Sequence, residues 1–275
     1  MKFSVLHRTK YTYATPVKES FNEVRLEPVT NEHQTVEAFV LKVLPPPRLR
    51  HYVDFYLNRA HHFEIPEPHT SLTIESQFRV STNSSNHLEP EARPFPRARI
   101  GECSRIERCF DFLQPSPYVE VEAAVWRQAV DATEGQTDTW QAAQALMRYV
   151  HTGFSYTPQL TTVRTRASDV LADRRGVCQD FAHVLLALCR SIQIPALYVS
   201  GYLHTPDANA SHAWIEVFIP GIGWRALDPT HGRQPDQNYV KLAVGRDYSD
   251  AAPTRGHYKG VTERTMEVTV RIEEA

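Results

Sequence analysis

The chain has 275 residues, 41% hydrophobic and 23% charged, with 30 Lys+Arg against 32 Asp+Glu and a formal net charge of -2. At roughly 150 residues per domain this is a little under two domains; the composition excludes a disordered or low-complexity chain, and the charge balance excludes a global field toward nucleic acid or anionic lipid. Four cysteines are too few to staple a secreted scaffold, no apolar run is long enough to span a bilayer, and the start MKFSVLHRTKYTY lacks a signal-peptide core, so a reducing, cytoplasmic compartment is expected.

From residue 1 to about 90 the period is two, clearest where Leu72, Ile74, Phe78 and Val80 alternate with Thr73, Glu75, Gln77 and Arg79. Similar alternation at Phe3, Val5 and His7 and at Val53, Phe55 and Leu57, with a stretch at 36–44 that is apolar on both faces, predicts a β-sandwich over 1–90. A Pro-, Ser-, Arg- and Glu-rich stretch predicts a connector over 91–116, and a second body over 117–245. In that body Trp140, Ala143, Leu146, Met147 and Val150 fall at helical spacing behind a Thr137-Asp138-Thr139 cap. A second helix carries Cys178, Phe181, Ala182, Leu185, Leu188, Cys189 and Ile192, and stops before Pro195. Strands are predicted at 196–202, 212–219 and 224–228, the last two joined by a turn at 220–223. In the segment 246–275, Met266, Val268, Val270 and Ile272 predict a closing strand.

The loop Asp173-Arg174-Arg175-Gly176 gives way to the second helix at Cys178, so the thiol faces free N–H groups and the positive end of the helix dipole. With Arg174 and Arg175 beside it, such a place stabilises a thiolate. A cysteine on an apolar helix face is ordinarily structural, which is the reading for Cys103, Cys109 and Cys189. Cys178 differs in its downstream company. His212 opens one strand and Asp228 ends the next, and pairing about the 220–223 turn sets His212 opposite about residue 231, within reach of Asp228. A carboxylate that holds an imidazole, which in turn takes the proton of a helix-terminal thiol, supplies orienter, base and nucleophile.

The stretches VLADRRGVCQDFAHVLLALCRSIQIPALYVSGYL and SHAWIEVFIPGIGWRALDPTHG resemble the bacterial transglutaminase-like superfamily, with its G-x-C-x-D-x-A, H-A-W and D-P-T motifs. Gln193 and Leu197 depart from its usual Gly and Arg. RLEPVTNEHQTVEAFVLKVLPPP with VDFYLNRAHHFEIPEPHTSLTI resembles the β-rich N-terminal region of bacterial members, and GRDYSDAAPTRGHYKG their C-terminal segment, so the likeness covers nearly the whole chain. The resemblance implies an α+β fold: an N-terminal β-sandwich, then a papain-like, transglutaminase-like catalytic core whose Cys-bearing helix packs on an antiparallel sheet. It also implies a cysteine protease or related acyl-transfer enzyme with catalytic Cys178, His212 and Asp228, acting on a peptide or amide substrate through a thioester. Likeness to partners of peptide-ligase systems points to small peptides or amide adducts.

Hydrolysis is expected over cross-linking, because no feature identifies an amine-binding site and water is the default acceptor. A transglutaminase or a glycan-releasing amidase would share the chemistry; a peptide-binding module without turnover is the alternative from another class. The backbone N–H of Cys178 is a natural oxyanion donor, Tyr156 is a candidate second donor, and Gln179 and Asp180 follow the nucleophile on the same turn. Trp214 and Glu216 share the strand face of His212 by alternation, and Trp214 is a candidate shield for the imidazole. His51, His61, His62 and His69 show no zinc spacing, and neither a calcium loop nor a glycine-rich phosphate loop is present. No metal, cofactor, nucleic-acid or membrane partner is expected.

Overall fold

Alternating apolar side chains make one exceptionally long first strand, and its bend organises everything around it. The computed structural model describes residues 1–83, 94–205 and 208–275; the end of the expected sandwich region, 84–90, and the start of the expected connector, 91–93, lie outside the described residues. The elements run β1 (Lys2–Glu27), β2 (Gln34–Leu44), β3 (Arg50–Val53), β4 (Arg59–Ile65), β5 (His69–Thr82), α1 (Glu107–Phe110), α2 (Ala123–Ala132), α3 (Thr139–Gly153), β6 (Ser155–Tyr156) and α4 (Ala167–Asp173). They continue with β7 (Arg175–Gly176), α5 (Cys178–Ser191), β8 (Ala196–Thr205), β9 (Ala208–Ile219), β10 (Gly223–Leu227), β11 (Tyr239–Gly245), α6 (Tyr248–Ala251), β12 (Thr254–Lys259) and β13 (Arg264–Glu274).

The first half of β1 pairs antiparallel with β5 and β13, and its second half with β4 and β12. Between the halves the pairing with β5 shifts register between Thr12 and Val17, and Glu19 adopts φ 49°. The resulting seven-stranded sheet curls around Phe3, Val5, Val24, Leu26, Phe63, Leu72 and Ile74. Two strand expectations need adjustment. The 36–44 stretch, apolar on both faces, lies in edge strand β2 and leaves Val40 62% exposed. Phe55 and Leu57 belong to a turn: Asp54 Oδ1 accepts from the backbone N–H of Tyr56 (3.0 Å) and Asn58 (2.9 Å), an Asx-type closure that competes with strand pairing.

The helices and sheet of the later part of the chain are organised around α5. Asp138 caps α3, its Oδ1 accepting from Gln141 N at 3.0 Å. Rather than one apolar stripe, every residue of α5 from Asp180 to Ser191 is buried, because α2, α3 and α4 pack around it on one side and the antiparallel sheet β10-β9-β8-β11 on the other. Buried Arg190 satisfies its charge on main-chain carbonyls, donating to Ala196 O (2.9 Å) and Gln114 O (3.1 Å). Ala196, Tyr198, Ala213, Ile215 and Val217 complete this core.

Tyr202, Val240 and Leu242 of the second sheet sit in the core of the curled sheet. The edge strand β11 is covered by side-chain amides. Gln34 donates to Lys241 O at 2.7 Å and accepts from Lys241 N at 2.8 Å, and Asn58 does the same with Val244 at 2.7 and 2.8 Å. Each amide imitates one rung of a neighbouring strand.

Candidate active site

The approach to α5 is made by a two-residue parallel pairing of β6 with β7, in which Thr157 N donates to Gly176 O at 2.8 Å. Gly176 is needed there: a Cβ would lie 2.7 Å from Asp180 Oδ2. That carboxylate oxygen accepts from Val177 N at 2.8 Å and from Thr161 Oγ1 at 2.6 Å, so Asp180 both closes the first turn of α5 and ties down the 157–166 loop. Burial raises the Asp180 carboxyl above its ordinary range, against those two bonds. Gln179 holds the same loop, donating to Val163 O at 3.2 Å. Cys178, half-buried, is therefore the first residue of a helix whose start is well determined.

His212 lies in β9 and Asp228 just past β10. Leu227 faces Ile215 and Gly223 faces Ile219, a register one residue from that expected, which leaves Asp228 diagonal to His212. His212 Nε2 donates to Asp228 Oδ2 at 2.8 Å. Cys178 is near enough that its side chain, like that of Asp228, favours the charged form of His212. Burial disfavours the imidazolium, but the bonds and charges of Asp228 and Cys178 outweigh it and hold His212 up to about 9. Burial likewise opposes the Asp228 carboxylate, yet donors from His212, His231 and Tyr239 hold it far below its usual range.

Two of those donors were not legible in the sequence. His231 Nδ1 lies 2.8 Å from Oδ2, and Tyr239 OH, from β11, donates to the same oxygen at 2.7 Å. Only the position of His231 three residues past Asp228 hinted at the first; Tyr239 depends on which strand neighbours β8. Trp214 stacks on His212 with ring centroids 6.1 Å apart and packs edge-on against Tyr239, walling off the imidazole. Glu216 on the same face pairs instead with Lys241. Tyr156 is 54% exposed and near enough that, after burial, the charges of Cys178 and Asp180 raise its phenol.

Cys103, Cys109 and Cys189 are buried and free, and burial pushes the Cys189 thiol up to about 12, so these three are poor nucleophiles. His212, Asp228 and His231 bring three donor atoms within 4.8 Å. Both imidazole nitrogens, however, sit at hydrogen-bond distance from one carboxylate oxygen, so each bond is already made without an ion. A cavity of about 880 Å³ bordered by Phe55, Leu57, Phe112, Leu197 and Trp224 is lined by none of Cys178, His212 or Asp228.

Residues 127–229 match the family described as the transglutaminase-like superfamily, and residues 3–81 match the bacterial transglutaminase-like N-terminal region. An uncharacterized protein of Mycobacterium leprae is 36% identical, with 98% of each chain covered. The crystal structure of a candidate cysteine protease from Cytophaga hutchinsonii superimposes with a TM-score of 0.80 at 24% identity, covering 100% of this chain and 91% of that one. The cytoplasmic expectation is corrected by the periplasmic domain of TgpA from Pseudomonas aeruginosa, also among the similar structures (17% identity, 82% of this chain, 87% of that one, TM-score 0.37). A low cysteine count does not select a compartment when Cys103, Cys109 and Cys189 are simply buried. Among the described residues no helix is long and apolar enough to cross a membrane.

Proposed function

We propose, for a chain that belongs to the bacterial transglutaminase-like superfamily and has its cysteine-dependent enzyme fold, that Cys178, His212 and Asp228 act as nucleophile, acid–base and orienter in acyl transfer from an amide. The observation that carries this reading is one imidazole bonded at 2.8 Å to a buried carboxylate and favoured in its charged form by that carboxylate and by the Cys178 side chain that opens α5. A His212 held charged near neutrality is the counter-ion a thiolate needs, and Asp228 keeps the ring turned so that its other N–H meets the sulfur.

In the first half-reaction the Cys178 thiolate attacks the amide carbonyl, and the oxyanion is met by the backbone N–H of Cys178, which has no acceptor within the helix. The His212 imidazolium gives its proton to the leaving amine as the C–N bond breaks, leaving a thioester and neutral imidazole. Water then attacks the thioester, His212 takes its proton, and the thiolate departs. A primary amine in place of water would give transamidation; hydrolysis is favoured because water is the default acceptor of a thioester that solvent can reach. Substrates are peptides or small amides, and Tyr156, on the exposed rim beside Cys178, is the proposed second oxyanion donor.

The test is alkylation by iodoacetamide with peptide mapping, alongside a mass-spectrometric search for cleavage in a peptide mixture. Cys178→Ala is expected to abolish both cleavage and rapid labelling. Cleavage that persists in Cys178→Ala, with labelling elsewhere, refutes the assignment.

A further inference from the structure

Asp228 itself builds the turn that follows it. Its N–H donates to Arg233 O and its carbonyl accepts from Gly232 N, each at 2.9 Å. Its Oδ1 accepts from Thr230 N at 2.8 Å and His231 N at 3.2 Å. Gly232 closes the turn at φ 64°, where a Cβ would meet the His151 ring at 2.5 Å, and His151 Nδ1 reaches Thr230 O at 3.1 Å. The loop is thus shaped from inside by Asp228 and from outside by the end of α3. Its product is the placement of His231, edge-on to His212 with ring centroids 5.1 Å apart, and with Nδ1 on the same oxygen that His212 uses.

We infer that His231 is a positioning residue: its imidazole roofs the Asp228 carboxylate and, through that carboxylate, sets how firmly His212 is held in its catalytic orientation and charge state. This rests on the Cys178–His212–Asp228 reading. An ionised carboxylate only accepts, so Nδ1 of His231 carries the proton in this bond. Asp228 is 0% exposed while the His231 side chain is 40% exposed, which puts the imidazole between the carboxylate and solvent. Tyr239, from β11, donates to Oδ2 as well, and Arg233 lies over the Tyr239 ring, so Asp228, His212, Tyr239, Arg233 and His151 are the titratable or charged groups around His231 and its loop. Removing the roof admits water to Oδ2, and a hydrated carboxylate couples more weakly to His212.

The experiment compares His231→Ala with His231→Asn, whose amide nitrogen can stand where Nδ1 stands. In His231→Ala the His212 titration midpoint, followed by NMR, is expected to fall from about 9 by about one unit. Iodoacetamide labelling of Cys178 at pH 7 slows about ten-fold. His231→Asn restores most of both, which a merely structural role in the loop would not require. Unchanged His212 titration and labelling in His231→Ala, with rapid labelling still lost in His212→Ala, overturns the inference and leaves the triad reading standing. Changes in His231→Ala that His231→Asn fails to restore overturn it too. Rapid Cys178 labelling that survives His212→Ala refutes the triad reading itself.

Discussion

Replacing Asp228 with Asn keeps the shape of the side chain and removes its charge, so it isolates what the buried carboxylate does to His212. The imidazole is held at about 9 against an ordinary 6.5. At 1.36 kcal/mol per unit, that difference of about 2.5 units corresponds to about 3 kcal/mol favouring the charged ring in the folded state. Because the folded value is the higher one, this stability is fully present below pH 6.5 and is lost as pH rises through about 9. Asp228 works in the opposite sense. Its folded value is depressed below 3.8, so its contribution is present above that pH and is lost as pH falls toward its folded value. The pair therefore stabilises most between about pH 4 and 6.5. In Asp228→Asn, burial is opposed only by Cys178, and the His212 midpoint is expected to drop from about 9 toward 6.5. Melting temperatures measured from pH 6 to 9.5 should decline by roughly 5 °C more in the native chain than in the variant, at about 2 °C per kcal/mol for a chain of this size. Parallel declines, or a variant His212 midpoint still near 9, would refute the reasoning.

Asp180→Ala removes the acceptor of Val177 N and the tether of Thr161, and is expected to cost about 1 kcal/mol in urea denaturation while speeding proteolytic nicking of the 157–166 loop; unchanged nicking would separate the loop from Asp180. Gly201→Ala would place a Cβ 2.2 Å from Val240 O and 2.5 Å from a Trp214 ring atom, in the row that also pairs His212 with Lys241 across β8. The expected loss is about 3 kcal/mol in the same measurement, and an unaltered denaturation midpoint would show that the two strands yield.

The positions of Cys178 at a helix start after a glycine and of Asp228 at the end of a hairpin were legible from local chemistry, whereas His212, expected to open its strand, lies inside β9, which begins at Ala208. The exact pairing was not legible, since a hairpin turn that closes one residue differently shifts the facing partners, as Leu227 against Ile215 illustrates. α5 looked amphipathic because apolar periodicity records only side-chain type; its polar face is buried through Arg190, whose charge is met by the nearby Ala196 carbonyl and by those of Gln114 and Arg246, far away in sequence. Tyr239 and the two amides of Gln34 and Asn58 depend on β11 lying beside β8 and under the curled sheet, a long-range outcome with no periodic signature. Phe55 and Leu57 misled for the opposite reason, having strand-like alternation over a segment that Asp54 folds locally into a turn.

The pairing of β1 with β13 also governs the order in which this molecule can assemble. Phe3 faces Glu274 and Tyr13 faces Arg264, so the first half of the earliest strand waits for partners about 250 positions away. Such separations carry a high loop-closure cost and slow the search for the native state. During synthesis the helices and sheet around Cys178 can consolidate while one flank of β1 still lacks its neighbour, an open edge of the kind that invites pairing with another chain. Arrival of β12 and β13 closes that edge last, which makes the segment after residue 250 the expected rate-limiting piece of folding and the first to detach under stress.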